Sequence, residues 1–391
     1  MRLRVATLNA WALPPPVGED VASRMRAIGA RVRDLDVDLM AFQEVWTAAA
    51  RAPLVEAAQR AGLRDSWQPS VAVGGGGLLV LSRFPIEHAV FEPFELRGHA
   101  ERMEQGEYVS GKGFVTLRLA VAGVPLLLVD THLHARYNQD ISSGYRPHRV
   151  AQLSQLATAL RAVREPVIVA GDLNFEEGDP EYLVLRGLTG VRDVAADLDR
   201  REPTVEDGNP YRPDRHLPSR RIDFVLVRDG ISQGLLPRSV RRVFDETLEI
   251  DGRPRTYSDH AGVLAEIQLV APSAPAPAAP DPRAVALALA LLAEGREYAR
   301  GRADEFGAAA AIGAGASVLA ATGARLASTR RRFVQRALYS TAAIGLVPGA
   351  AGSLLSGIYV PEEVRAFEDA ADRVARLAAV GSSSAVPSST R

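Results

Sequence analysis

Residues 166–175, PVIVAGDLNF, constrain the fold more than any other stretch. Val167, Ile168, Val169 and Ala170 form an apolar, mostly β-branched run, the composition of a strand buried on both faces. Such a strand needs a covering layer on each side, so the chain has to build a layered α/β or sandwich fold. Gly171 then frees the backbone to turn. Asp172 and Asn174, two positions apart, leave the same face in extended geometry. A carboxylate and a carboxamide therefore stand together at a rigid strand end. Taken singly, GDxN reads more readily as an Asx turn, so the rest of the chain has to decide.

Further strands deliver polar groups in the same manner. Residues 2–9 alternate and end at Asn9; a helix over 23–35 follows, with Met25, Ile28, Val32 and Leu35 on one face. DLMAFQEVW at 38–46 is a second buried strand and carries Glu44, a helical stretch covers 47–61, and LLVLSRFPI after the glycine run 74–77 reads as one strand. Residues 113–121 and 124–131 predict a hairpin around Ala122-Gly123 whose second arm runs into DTHLHA, which contains His132. A helix over 145–163 precedes the central strand. RIDFVLV at 221–227 carries Asp223, and TYSDHAGVLAEIQL at 256–269 opens on Asp259 and His260.

Composition narrows the chemistry. The 391 residues allow one large domain plus an appendage, and the absence of cysteine removes disulfides, zinc-thiolate sites and thiol nucleophiles. A metal would have to be held by oxygen or histidine. A formal net charge of -1 supplies no global positive field and disfavours nucleic acid as the partner. One of the 46 basic residues, Lys112, is a lysine; the others are arginine. The start, MRLRVATLNAW, lacks the apolar core of a cleavable secretion signal, so synthesis is expected to begin in the cytoplasm.

TLNAW, FQEVW, DTHLHA, GDLNF, RIDFVLV and SDHAG, in this order over residues 3–269, resemble the endonuclease/exonuclease/phosphatase superfamily, which has the deoxyribonuclease I fold. FQEVW, SGKGF at 110–114, THLHARYN at 131–138 and HRVAQL at 148–153 look like its neutral sphingomyelinase branch. The resemblance implies an α/β (α+β) four-layer sandwich, two packed mixed β-sheets flanked by helices, over residues 1–270.

For the site, Mg²⁺ (or Mn²⁺) fits Glu44 as main ligand with Asn9 beside it, since a hard cation prefers oxygen donors. The resemblance pairs His260 with Asp223 as the base. Asp172 would orient the attacking water and Asn174 would donate its amide to phosphoryl oxygens. By family likeness His132 serves the leaving group, His134 is structural, and Lys112 faces the lipid phosphate. Asp259 either touches the metal or fixes the loop beside His260. The branch often has Asp five residues before this lysine, where Glu107 stands here. Trp11, Trp46 and Trp67 read as core packing in preference to a lipid entrance.

APSAPAPAAPDP marks a linker over 271–282, followed by an Ala-rich helical region over 283–380 and a disordered tail over 381–391. Within that region lie a helix over 284–300, uncharged stretches over 306–324 and 337–360, an arginine-rich link over 325–336, and a final amphipathic helix from Pro361. The uncharged stretches are long enough to cross a bilayer, and Gly345 and Gly349 give a GxxxG spacing suited to close helix packing. Arg325, Arg330, Arg331, Arg332 and Arg336 would hold the link in the cytoplasm, which two spans cannot reconcile with an unexported catalytic domain. A hairpin lying on the membrane, arginines at anionic head groups, removes the conflict.

The expected protein is thus a Mg²⁺-dependent phosphodiesterase, of phospholipase C type, releasing choline phosphate from sphingomyelin or a lysophospholipid. It is expected to be membrane-associated on the cytoplasmic face through its C-terminal region, with no obligate protein partner inferred. The alternatives are a nuclease on the same frame, a phosphoinositide phosphatase, and a tethered binding module that lost the chemistry.

Overall fold

In the computed structural model, which describes residues 1–70, 75–137, 144–212, 218–272, 279–327 and 332–383, the strands form two six-stranded sheets and a small hairpin. The first sheet runs β11 (Gly234–Val243), β14 (Gly262–Val270), β1 (Arg2–Ala12), β2 (Leu39–Val45), β4 (Leu79–Ser82), β3 (Asp65–Trp67). The second runs β5 (Ile86–Pro93), β6 (Gly113–Val121), β7 (Val124–His132), β8 (Val167–Asp172), β10 (Asp223–Arg228), β9 (Arg192–Asp193). Strands β12 (Leu248–Ile250) and β13 (Arg253–Arg255) make the hairpin. Both sheets are mixed, because β1–β2 and β7–β8 pair in parallel while their neighbours pair antiparallel.

Period-two alternation sorts the side chains into layers. Leu3 and Val5 of β1 meet Leu117, Leu128, Ile168 and Val225 of the second sheet in the central core. Ala6, Leu8, Met40 and Phe42 face the other way, onto α1 (Val21–Leu35) and α2 (Ala48–Arg60). On the far side, Phe114, Val129, Val169 and Leu226 pack against α4 (Arg146–Arg161) and α5 (Pro180–Thr189). Two single-turn helices, α3 (Glu107–Ser110) and α6 (Val194–Asp197), complete these four layers.

Three more helices follow: α7 (Pro282–Leu326), α8 (Arg332–Leu354) and α9 (Val360–Ser383). The first part of α7 joins the outer core through Ala288, Leu291 and Leu292, as α9 does through Phe367, Ala370 and Val374. Burial of each large apolar side chain contributes about 1.5–3 kcal/mol, so this docking is substantial. Beyond Phe306, α7 packs against α8 and the turn that follows it at Leu355–Tyr359. Backbones come close where Gly313 meets Gly345 and Gly349, and Ser317 lies against Gly345. The outer faces of this pair expose Ile312, Leu319, Ile344 and Val347, each at least 70 % accessible.

Several expectations change. LLVLSRFPI is two elements, β4 and the start of β5, in different sheets, because Ser82 turns the chain by bonding Phe84. The stretches 284–300 and 306–324 are one unbroken helix, and α9 continues the helical path from Leu354 through a π turn at Leu355–Tyr359. The backbone of 381–383, expected to belong to a disordered tail, is the end of α9. Linker residues 273–278, Gly74, Asn138, Arg330, Arg331 and tail residues 384–391 lie outside the described residues.

Gly171 is the tightest point in the second sheet. Its φ of 148° belongs to glycine, and a Cβ there would lie 2.0 Å from the Thr131 carbonyl oxygen of β7. Gly171→Ala is expected to cost roughly 3 kcal/mol, combining overpacking with strain. Denaturant unfolding of the purified variant measures it, and a loss within error of zero would refute the close approach.

Candidate active site

The same alternation that builds the central core also builds the site. On inward-facing positions the sequence runs apolar and then polar: Leu126, Leu128, Asp130, His132 on β7; Ile168, Ala170, Asp172 on β8; Val227, Val225, Asp223 on β10. Strand register pairs His132 with Asp172 and Asp172 with Asp223, which sets three functional groups in one row. Across the sandwich, β1 ends its inward series on Asn9. Glu44 follows on β2 with a left-handed φ of 59°, tight against Gly77, where a Cβ would be 3.1 Å from the Glu44 Cα.

These groups meet around Asp172. Asn9 Nδ2 donates to Asp172 Oδ2 at 3.0 Å and to Glu44 Oε1 at 3.1 Å. His132 Nε2 lies 3.3 Å from Asp172 Oδ2 and 3.9 Å from Glu44 Oε1. The other Asp172 oxygen accepts the Asn174 backbone N–H at 3.0 Å. Asn174, itself left-handed at φ 54°, donates one amide hydrogen to the Leu133 carbonyl at 3.0 Å, and the second has no acceptor among the described residues. His260 Nδ1 is 2.9 Å from Asp223 Oδ2, and ligand atoms of Asp172, Asp223 and His260 lie within 4.8 Å of one another.

Electrostatics follow from burial and partners. Burial pushes the Asp172 carboxyl up, yet its bonds to His132 and Asn9 and the nearby imidazoles hold it below the ordinary carboxylate range. Burial raises Asp223. For His260 burial lowers the proton affinity, but Asp223 and then Asp259 outweigh it and hold the ring well above its ordinary value. Asp259 is pushed up to about 6, chiefly by burial, with His260 opposing and Glu44 adding its negative charge. Glu44 and Asp259 therefore crowd negative charge beside the Asn9 amide, an oxygen-rich donor set that suits a hard divalent cation.

Of the residues singled out from the sequence, Asn9, Glu44, His132, Asp172, Asn174, Asp223, Asp259 and His260 come together. Lys112 stands behind them: it is buried and bonds the Leu133 carbonyl at 3.1 Å, the same oxygen that holds Asn174. His134 is buried and stacked on Tyr145 with ring centroids 3.9 Å apart. The three tryptophans are half-buried, Trp11 against Tyr211 and Trp67 against Phe91.

Sequence reasoning missed the supports. Gln43 donates to Asp130 at 2.7 Å and to Thr7, tying the two sheets together beneath the site. Arg24 donates to four backbone carbonyls, those of Ala10, Trp11, Glu19 and Tyr257, so it holds the Asn9 strand end and the 256–260 loop together. Ser258 Oγ donates to the Asn9 carbonyl at 2.6 Å, and Thr204 Oγ1 accepts the Asp223 backbone N–H. An arginine beside Met25, on the apolar face of α1, was the available signal for Arg24.

This chain belongs to the Endonuclease/Exonuclease/phosphatase family, whose sequence profile matches residues 6–260. It is 31% identical over 276 residues to a Drosophila melanogaster protein described as a candidate neutral sphingomyelinase, covering 69% of this chain and 61% of that one. Homo sapiens sphingomyelin phosphodiesterase 2 is 29% identical over 290 residues, 68% of this chain and 64% of the relative. The match thus spans less than two thirds of either relative. A solved structure of Staphylococcus aureus beta toxin with bound magnesium ions has the same fold, with a TM-score of 0.54 at 16% identity over 68% of this chain and 99% of that one.

The Lys112–Glu107 pair has a measurable signature. Lys112 Nζ is 2.8 Å from Glu107 Oε1, and both side chains are buried. Burial pushes the Glu107 carboxyl up, but Lys112 first and then His134 and His132 bring it down from 4.5 to about 2. The unfolded chain therefore takes up this proton before the folded one. The pair's contribution is full above pH 4.5 and is lost as pH falls towards about 2. Glu107→Gln, which strands a buried ammonium, is expected to cost roughly 3–5 kcal/mol at neutral pH. The stability gap to the parent should shrink across that acid window in denaturant titrations; a constant gap would contradict the pairing.

Proposed function

We propose that the chain is a Mg²⁺-dependent phosphodiesterase that cleaves sphingomyelin or a related lysophospholipid to release choline phosphate. One observation carries the reaction class: the His260–Asp223 pair, Asp172, Asn174, His132 and the Glu44–Asn9–Asp259 oxygen cluster converge at one end of the sandwich. Likeness to sphingomyelin-cleaving relatives over the catalytic layers supports the lipid substrate.

The chain's own residues divide the work. Asp223 accepts the His260 Nδ1–H and fixes the ring, leaving Nε2 of the neutral imidazole to take a proton from the attacking water. Asp172, held ionised, orients that water. The second Asn174 amide hydrogen bonds a phosphoryl oxygen as charge develops on it. His132 stands on the opposite side of Asp172 from Asp223 and serves the leaving alkoxide. A divalent cation held by Glu44, Asn9 and Asp259 would supply neutralisation of phosphate charge. Lys112 acts through the Leu133 carbonyl, steadying Asn174 from behind.

The paired apolar faces of α7 and α8 bring the site to its substrate by associating with a membrane. Both helices are long and apolar enough to cross one, and their exposed Ile312, Leu319, Ile344 and Val347 favour a lipid environment.

Ester release by the full-length protein, with Mg²⁺ and with EDTA, tests the activity on sphingomyelin, lysophosphatidylcholine, a phosphoinositide and plasmid DNA in parallel. Cleavage of a choline lipid only with Mg²⁺ is expected, and His260→Ala should lower turnover by about 10²–10⁴-fold with the fold intact. Cutting of DNA with the lipids untouched would overturn the lipid reading. Separately, Leu319→Asp with Ile344→Asp should abolish co-flotation with phosphatidylcholine/phosphatidylserine vesicles; unchanged flotation would exclude this face as the contact.

A further inference from the structure

We propose that His99, His148 and Glu363 form a second metal site, suited to a transition ion such as Zn²⁺, which clamps the C-terminal helices to the catalytic layers. The three residues come from separate parts of the chain: His99 from the segment between β5 and α3, His148 from the first turn of α4, and Glu363 from the first turn of α9. All three are more than nine-tenths buried, at 6%, 3% and 8% exposure.

Geometry is the main argument. His99 Nε2 lies 3.5 Å and His148 Nε2 3.3 Å from the same oxygen, Glu363 Oε1, and the three ligand atoms are within 4.8 Å of one another. Donors about 2.0–2.2 Å from a shared tetrahedral ion stand roughly 3.3 Å apart, so these spacings match. Among the described residues neither Nε2 makes a well-directed hydrogen bond, although His148 Nε2 is within reach of Glu363 Oε1. A buried polar network kept only for structure would satisfy such nitrogens.

The surroundings supply what a metal centre needs. Arg302 of α7 grips Glu363 Oε1 and Oε2 at 3.0 and 2.8 Å and reaches Glu101 at 2.8 Å, holding the ligand carboxylate in place. Glu101 and Glu363 thus set two carboxylates against this guanidinium, while Arg102 also acts on His99. Tyr145 lies 4.6 Å from His99 and Phe367 lies 5.2 Å from His148 by ring centroids, so the cluster is walled by aromatic rings. Glu363 and Arg302 also line a cleft with Arg97, Tyr108 and Tyr359. The donor set, two imidazoles and one carboxylate, selects a borderline ion, unlike the all-oxygen cluster at Glu44, Asn9 and Asp259.

Full-length protein stripped of metal and titrated with Co²⁺ tests the proposal without reference to activity. A tetrahedral site gives intense visible absorption. That absorption should saturate at one equivalent, be displaced by Zn²⁺ and persist in Glu44→Gln, which weakens the oxygen-rich site. In His99→Asn and in His148→Asn it should be lost, with Zn²⁺ binding on the order of 100-fold weaker, and Zn²⁺ should raise the unfolding temperature of the parent but not of these variants. Absence of the absorption in the parent protein overturns the proposal whether or not the variants fold. So does its survival in both histidine variants.

Discussion

The site depends on the close approach of β7 and β8 at Gly171. Where a side chain would collide with the Thr131 carbonyl, glycine lets β8 keep its parallel register, and that register sets Asp172 between His132 and Asp223. No loop has to find this arrangement; three paired strands impose it. The remaining groups are then added from the facing sheet, with Gln43 and Asp130 fixing the separation between the two. Burial raises the Asp130 carboxyl well above its ordinary range.

Much of this was legible because strand period and function coincide. Asn9, His132, Asp172 and Asp223 each stand at the polar end of an inward-facing series that is apolar at its other end, so counting the alternation along each strand points to them. The hairpin of β6 and β7 fell within a residue of its expected ends. Helix α5 and strand β11 were missed for different reasons. Asp179-Pro180 and Gly190 bracket α5 with ordinary start and stop signals, overshadowed by the GDLNF strand end just before them, whereas Pro237 and a register shift interrupt the pattern of β11. The position of Lys112 was not legible at all. Its partner, Glu107, lies on a single turn of helix whose placement depends on contacts from residues far away in the chain.

The C-terminal region shows one helix with two kinds of surroundings. Along α7 the apolar residues of the first half fill the outer core against α4 and α5, and those of the second half turn outward once the catalytic layers end. Small residues make the transition workable. Gly313, Ser317, Gly345 and Gly349 let two backbones pack without large side chains between them, so the apolar bulk is left for the outside. Glycine at 295 does the equivalent within the core, where Phe367 and Pro147 leave no room for a Cβ.

The lone lysine gives the molecule an internal reporter. The other 45 of the 46 lysine and arginine side chains are guanidiniums, so reagents that acylate primary amines find a single side-chain amine in the whole sequence, at Lys112. That amine is sealed in by Glu107 and the Leu133 carbonyl, the same oxygen that accepts the Asn174 amide. The rate at which it reacts is therefore a clock for the opening of the wall behind the active site, readable by mass spectrometry on the unlabelled, unmutated chain.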